Sequence, residues 1–88
     1  MYRVRLARRA ERGLRRIRLG DPRGYERVAA AILGLADDPR PAGARKLRGF
    51  DPPALRLRVV EYRIVYEILQ EEVVVIIVNV APRGEVYR

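Results

Sequence analysis

Four arginines and one tyrosine in the second half of the chain have residue types and a spacing that could form a site for an anion. They are Arg56, Arg58, Arg63, Arg83 and Tyr87. Arginine is permanently charged, and its planar fork fits the oxygens of a phosphate. Its pKa, above about 12, makes it a poor group for moving protons. Tyrosine can stack on a base, and it can transfer a proton only if neighbouring cations lower its pKa.

A predicted β-hairpin places the first three of these residues. Segments 55–59 and 62–69 have the alternation and the β-branched and aromatic content of strands, and a two-residue turn at 60–61 joins them. This pairing puts Arg58 opposite Arg63 on the open side of the sheet, together with Arg56. The residues expected on the helix-covered side are Leu55, Leu57, Val59, Tyr62, Ile64 and Tyr66. Like charges directly opposite cost about 0.2–1 kcal/mol. A sequence that had only to fold would more readily carry threonine or glutamate at one of the two positions.

The end of the chain is predicted to complete the same corner of the sheet. The next hairpin turns around 70–72, so the end of the apolar strand 73–80 returns beside the start of the strand before it. Arg83 follows a few residues later and therefore falls near Arg63. Tyr87 comes four residues after Arg83.

A simpler interpretation of the same residues is a solvated, charged sheet face. Glu67 and Glu85 would then be ion-pair partners of the arginines, and Tyr87 would be a packed terminal aromatic. Charged side chains on an exposed sheet face are ordinary. The residue pattern alone leaves both interpretations open.

The first half of the chain supplies the helices that such a sheet needs. Segment 2–6 alternates as a short strand, and apolar residues at helical spacing predict a basic amphipathic helix over 7–18. A second helix begins at Asp21-Pro22, an N-cap followed by proline at the first helical position, and ends before the two prolines of 37–43. The predicted fold is α+β with the order β-α-α-β-β-β: a helical hairpin packed on one face of a small, mainly antiparallel sheet, within a single domain over 1–88.

Composition narrows the possible functions. The 88 residues have a formal charge of +8 and contain neither cysteine nor histidine. These absences exclude a disulfide framework, a cysteine nucleophile, histidine acid–base chemistry and the usual zinc sites, and we expect no metal or other cofactor. A basic excess favours an anionic partner, although bias towards arginine codons explains part of the arginine content. No leader or membrane-spanning segment is recognisable, so we expect a cytoplasmic protein that binds no membrane.

The sequence resembles the RelE branch of the RelE/ParE toxin superfamily over essentially its whole length. The segments that carry the resemblance are "KLRG" (46–49), "LRLRVVEYRIVYEI" (55–68), "VVVIIVNV" (73–80) and "PRGEVYR" (82–88). The resemblance implies the toxin of a type II toxin–antitoxin system, a small metal-independent endoribonuclease that enters the ribosomal A site and cuts mRNA there. In this mechanism the 2′-hydroxyl attacks the adjacent phosphate.

The resemblance also implies partners. These are the 70S ribosome with its mRNA and a cognate acidic antitoxin, RelB-like or similar, which wraps the toxin. Operator DNA is expected to be bound only through the toxin–antitoxin complex. The residues expected to contact RNA or the ribosome, through sequence-tolerant and salt-sensitive contacts, are Arg8, Arg9, Arg12, Arg15, Arg16, Lys46 and Arg48. A merely solvated helix face is the alternative for the first five.

Individual residues match the family pattern to different degrees. Arg63 matches the arginine after the strand tyrosine, Arg83 the arginine after the last strand, and Tyr87 the tyrosine near the terminus. Arg56 and Arg58 fall where the family carries basic residues, and they are arginines where some members have a lysine that could transfer protons. The usual glycine-containing turn before Tyr62 is replaced by Val60-Glu61, and Glu61 is either a candidate general base or simply a turn residue.

Two other functions are compatible with the sequence. One is the ParE branch, whose members share the fold, inhibit DNA gyrase and generally lack the arginine–tyrosine site. The other is a non-catalytic basic module that binds nucleic acid or an antitoxin, which the weak acid–base equipment favours. The arginine–tyrosine set argues for RNA cleavage over both.

Overall fold

The computed structural model describes residues 1–49 and 53–84. Two helices cover one face of a five-stranded sheet in this structure. The elements are β1 (Arg3–Leu6), α1 (Arg8–Gly20), α2 (Pro22–Asp37), β2 (Arg45–Leu47), β3 (Ala54–Val59), β4 (Tyr62–Leu69) and β5 (Val74–Pro82). This arrangement confirms the predicted α+β fold.

The strands lie in the order β1-β5-β4-β3-β2. The three pairings from β2 to β5 are antiparallel, and β1 pairs with β5 in parallel. The helical hairpin leads from β1, at one edge of the sheet, to β2, at the other, and the chain then returns strand by strand until β5 lies beside β1 in parallel. The two ends of the described chain are thereby brought to neighbouring strands.

Local sequence signals explain where the helices begin and end. Asp21 caps α2, since its carboxylate accepts a hydrogen bond of 3.1 Å from the Gly24 amide, and Pro22 occupies the first turn. At the other end of α2, Asp37 is the last helical residue before the proline-containing segment. Gly20 ends α1, so a single residue separates the two helices.

The main core lies between the helices and the sheet. Its buried residues are Ala10, Ile17, Val28, Ile32, Leu35, Ile64, Tyr66, Val75, Ile77 and Val80. Alternate residues of β3 and β4 pack against this cluster, as the sequence predicted for Leu55, Leu57, Val59 and Tyr62. The intervening residues of the same strands lie on the opposite, open face.

The sequence analysis missed β2, a strand of three residues at the edge of the sheet. Its residues Arg45–Leu47 pair with Ala54–Arg56 of β3. A strand this short shows little alternation of its own, and the position of its partner decides whether it forms. The last strand also extends to Pro82 rather than to residue 80, and the pairing of β4 with β5 shifts register between Val65 and Tyr66.

Neither helix in the described part of the chain combines the length and the apolar content needed to cross a bilayer.

Candidate nucleic-acid interface

The predicted register of the β3–β4 hairpin is confirmed. Val59 pairs with Tyr62 and Arg58 pairs with Arg63. Directly opposite residues of antiparallel strands share a face, so the two arginines lie side by side on the open face. The hairpin therefore holds two like charges together, as expected from the sequence.

The turn between these strands has an unusual backbone. Val60 has a φ of 49°, in the left-handed region. Two-residue hairpin turns need a positive φ, which glycine or asparagine normally supplies. For a residue with a Cβ this conformation costs about 1–2 kcal/mol, and a β-branched side chain fits it poorly. The hairpin thus keeps its two-residue turn despite the missing glycine, and strain is concentrated three residues before Arg63.

A further arginine joins this face through β2. Arg45 pairs with Arg56, which places it on the open face beside the arginines of the hairpin. We call Arg45, Arg56, Arg58 and Arg63 the open-face arginines. The sequence analysis missed Arg45 because its face depends on the register of the unpredicted strand β2. The alternation of Arg45 with Leu47, read against Ala54 and Arg56, is the signal that could have found it.

Small apolar residues lie between the open-face arginines. Ala54 and Val65 are buried there, with Leu47, Val78 and Ala81 packed around them. Val65 is opposite Arg56, and Ala81 is opposite Arg63. A guanidinium above such a low-polarity surface interacts more strongly with an anion than one fully surrounded by water. Arg63 is half-buried and its Nε is buried, whereas Arg58 is exposed.

Arg83 is connected to this corner through its backbone. Its amide donates a hydrogen bond of 3.0 Å to the carbonyl of Glu61, two residues before Arg63. The side chain of Arg83 is exposed. Tyr87 and Glu85 lie outside the described residues, so their roles stay predictions.

Lys46 and Arg48 are not grouped with the open-face arginines. Lys46 pairs with Leu55 and so points to the helix-covered side, where it lines a shallow hollow with Arg40 and Ile68. Arg48 is exposed in the turn after β2. Their predicted contacts with RNA would therefore be made from the rim of the domain.

The five arginines predicted to contact RNA from α1 do not share one environment. Arg9, Arg12 and Arg16 line a cleft against β5. Arg15 lines a different hollow, formed with Leu19 and other residues of α1 and with Tyr25 of α2. Arg8 is exposed at the first position of the helix.

A hydrogen-bonded pair joins the helical hairpin to the start of β4. The Tyr62 hydroxyl donates to Oδ2 of Asp21 over 2.8 Å, while Oδ1 accepts from Gly24. These bonds, that from Tyr62 first, hold the pKa of Asp21 below its ordinary value of 3.8, and the same carboxylate raises the pKa of Tyr62. A Cβ at Gly24 would overlap the Asp21 carboxylate, so glycine is required for this contact. The pair fixes the residue next to Arg63.

The arrangement is suited to binding and stabilising negative charge. Several guanidinium groups surround a small apolar surface, and they can meet the charge of a phosphate or a phosphorane. Among residues 1–49 and 53–84, Asp, Glu, His and Cys side chains form no cluster that could hold a metal ion.

Comparison with known proteins identifies the family. Residues 4–87 match the model of the ParE toxin of type II toxin–antitoxin systems. The chain belongs to the RelE/ParE toxin superfamily. It is accordingly the toxin of a type II toxin–antitoxin system, and the resemblance noted in the sequence is confirmed. A comparison with curated protein sequences produced no match.

Several solved structures that are similar to this chain are RelE toxins, alone or in toxin–antitoxin complexes. The isolated RelE toxin of E. coli is 31% identical, with a TM-score of 0.73 over 99% of this chain and 92% of that chain. The RelBE2 toxin–antitoxin complex of Mycobacterium tuberculosis matches at 28% identity and a TM-score of 0.78, over 93% and 98% of the respective chains. The RelE–RelB complex of Pyrococcus horikoshii matches at 25% identity and a TM-score of 0.79, over 97% and 98%.

Proposed function

We propose that this toxin is an endoribonuclease that cuts mRNA in the A site of the 70S ribosome, in the cytoplasm, and so stops translation. The observation that carries the proposal is the open face, where Arg58 and Arg63 lie directly opposite each other beside Arg56. A face that brings several guanidinium groups together is suited to the phosphates of a polyanion. The similarity to RelE structures supports the same function.

The proposed reaction is a transesterification within the RNA. The 2′-oxygen forms a bond to the adjacent phosphorus as its proton leaves, and the bond to the 5′-oxygen of the next nucleotide breaks as that oxygen gains a proton. Arg63 and Arg83 would meet the charge on the phosphorane, and Arg56 and Arg58 would hold the flanking RNA. Tyr87 is proposed to stack on a base or to transfer a proton, and Glu61 is a weaker candidate for the base.

The direct test is the fate of ribosome-bound mRNA. Purified toxin is added to ribosomes programmed with a defined message, and primer extension locates new 5′-ends. We expect cleavage in the A-site codon with the parent protein and little with Arg63→Ala. A message carrying a 2′-deoxy nucleotide at the cut position is the chemical control, because it lacks the nucleophile. Cleavage of that message would contradict the proposed reaction.

We propose an acidic antitoxin as the second partner. The RelE structures from M. tuberculosis and P. horikoshii are those of toxin–antitoxin complexes, and a chain of charge +8 is suited to an acidic polypeptide. We expect a co-encoded acidic protein to bind the toxin, to remove its toxicity and to give the complex its affinity for operator DNA. Harmless expression of the toxin alone, with no such partner bound, would contradict this proposal.

One observation favours a second function, the inhibition of DNA gyrase. The matching family model is that of the ParE toxin, and that branch acts on gyrase. A supercoiling assay with purified gyrase distinguishes the two functions. Loss of supercoiling together with intact ribosome-bound mRNA would assign the chain to the ParE type.

A further inference from the structure

A cleft of about 260 Å³ lies between α1 and the edge of β5 that faces away from β4. It is lined by Arg9, Arg12, Gly13, Arg16, Asn79, Val80 and Ala81. Three guanidinium groups therefore flank a short stretch of strand. Asn79, a buried polar residue that is 7% exposed, also lines this basic cleft.

The cleft exists because β1 is shorter than β5. The pairing of the two strands ends at Leu6 and Ile77, and the Ala7 amide then donates to the Ile77 carbonyl. Beyond that point, within the described residues, α1 rather than another strand lies along β5. Gly13 permits this contact, because a Cβ there would overlap the Val80 carbonyl oxygen.

Helical spacing then aims the three arginines around the contact. Relative to Gly13, the three arginines lie four residues before it (Arg9), one residue before it (Arg12) and three residues after it (Arg16). This spacing puts all three on one side of the helix. Each of the three is exposed. Alternation places the side chains of Asn79 and Ala81 on the open face, so the cleft opens towards that face rather than into the core.

Ala81 connects the cleft to the open-face arginines. It lines the cleft, and it is also directly opposite Arg63 in the β4–β5 pairing. Neighbouring strands are about 4.8 Å apart. A strand of RNA with one phosphate at Arg63 would cross the small Ala81 side chain and bring a neighbouring phosphate to the cleft.

We infer that the α1–β5 cleft is a phosphate subsite for the nucleotide next to the one that is cut. The inference rests on the proposed ribonuclease function and deepens it. Arg12 and Arg16 would bind the phosphate through their forks, with Arg9 at the rim. With its guanidinium groups engaged by the phosphate, the subsite would position the RNA strand rather than specify a base.

The same geometry argues against an added polypeptide strand as the occupant. A new strand would need to lie about 4.8 Å from β5. At Gly13 the helix backbone already takes that position beside Val80. Free space remains around the arginine side chains, which suits a compact anion such as a phosphate.

The test is a double-mutant cycle between protein and RNA. Ribosomes carry a message with a 2′-deoxy nucleotide at the cut position, so that binding is measured without cleavage. In a second set of messages, one phosphate adjacent to the scissile phosphate, on its 5′ or its 3′ side, is a neutral methylphosphonate. Equilibrium binding is measured for the parent, for the double variant Arg12→Ala/Arg16→Ala, and for Arg23→Ala/Arg27→Ala.

The last variant is matched in charge and spacing. Arg23 and Arg27 are exposed and four residues apart on α2, as Arg12 and Arg16 are on α1. Circular dichroism and thermal unfolding establish that each variant is folded, which we expect because alanine is a good helix former.

We expect one of the two methylphosphonates to weaken binding of the parent about tenfold, as loss of a charged hydrogen-bonded contact does. The same message should weaken the Arg23/Arg27 variant equally and leave the Arg12/Arg16 variant unchanged. An equal loss in both variants, or no loss in the parent, would overturn the subsite.

Binding of the methylphosphonate messages is measured without cleavage. A parent that binds in this pattern but cuts no normal message would therefore refute only the nuclease chemistry. A parent that binds no ribosome would overturn both proposals.

If the cleft instead serves a polypeptide, a different result is expected. Arg12→Ala/Arg16→Ala would then lose affinity for the acidic antitoxin while its binding to every message stayed parental. That result also overturns the subsite.

Discussion

The two faces of the sheet are built from alternate residues of the same strands, yet they differ in what their side chains do. On the helix-covered face, Ile64 and Tyr66 are fully buried, and the Tyr66 hydroxyl donates a hydrogen bond of 2.8 Å to the Pro39 carbonyl. On the open face, Arg58 and Arg63 are held side by side. One face forms the core, and the other gathers positive charge at the surface. Stability and function should therefore be separable by changing adjacent residues.

The largest effect is expected from the open face. Replacing Arg63 or Arg83 by alanine should lower the single-turnover rate of cleavage by about 10²–10³, the usual cost of losing one preorganised donor. Lysine at either position should recover part of the rate, since it restores the charge without the fork. Ribosome binding should stay near that of the parent, and the free energy of unfolding should change by less than about 1 kcal/mol. Parental rates in both alanine variants would reduce this corner to a charged sheet face.

The adjacent residue should behave in the opposite way. Ile64 is 0% exposed within the main core, so Ile64→Ala should lower the free energy of unfolding by about 3 kcal/mol through lost burial and a residual cavity. Urea denaturation measures this loss. At temperatures where the variant is still folded, its cleavage rate should remain within a few-fold of the parent. A rate loss as large as that of Arg63→Ala in a fully folded sample would show that the two faces are not independent.

The sequence predicted those features of the two faces that follow from a local pattern, and it missed those that depend on a neighbouring element. Alternation in β3 and β4 sufficed to predict the pairing of Arg58 with Arg63, and an Asp-Pro pair sufficed for the start of α2. Arg45 could not be placed, because the face of a three-residue edge strand is decided by the strand it joins. The sequence likewise did not predict that Arg9, Arg12 and Arg16 line one cleft and Arg15 another.

Long-range contacts of single side chains account for the rest. The bond from Tyr62 to Asp21 joins residues 41 positions apart. The cleft of Arg12 and Arg16 requires the close approach of Gly13 to Val80. Neither follows from periodicity, since both depend on how the helical hairpin is seated on the sheet.

A smaller effect is expected from the hydroxyl of Tyr66. Burial raises the pKa of this phenol to about 12 from its ordinary 10.0. Its folded-state pKa is thus above the unfolded value. The stabilisation is fully present below pH 10 and is lost as the pH rises towards 12. In Tyr66→Phe this loss should be reduced, and stability at pH 7 should fall by about 1 kcal/mol because the Pro39 carbonyl loses its donor.

Urea midpoints measured from pH 8 to pH 11 test the tyrosine prediction. Tyr62→Phe is the appropriate comparison, because the pKa of Tyr62 is raised by its bond to the Asp21 carboxylate rather than chiefly by burial. A steeper alkaline loss in Tyr66→Phe than in the parent would contradict the assignment.

The smallest effect should come from the turns at the two ends of the hairpin strands. Val60, at the β3–β4 turn, and Val73, at the β4–β5 turn, have φ values of 49° and 56°. Both valines are therefore in the left-handed region, which glycine adopts without steric cost. After the entropic cost of glycine, each valine-to-glycine change should raise the free energy of unfolding by about 0.5–1 kcal/mol.

The two turns differ in position: Val60 precedes Arg63 and the Glu61–Arg83 hydrogen bond, and Val73 lies beside Gln70 at the far end. Val73→Gly should therefore leave cleavage unchanged. Val60→Gly should lower the cleavage rate a few-fold, if the rigid turn holds Arg63 and Arg83 in register. Equal cleavage rates in the two glycine variants would show that the strained turn at Val60 does not contribute to the site.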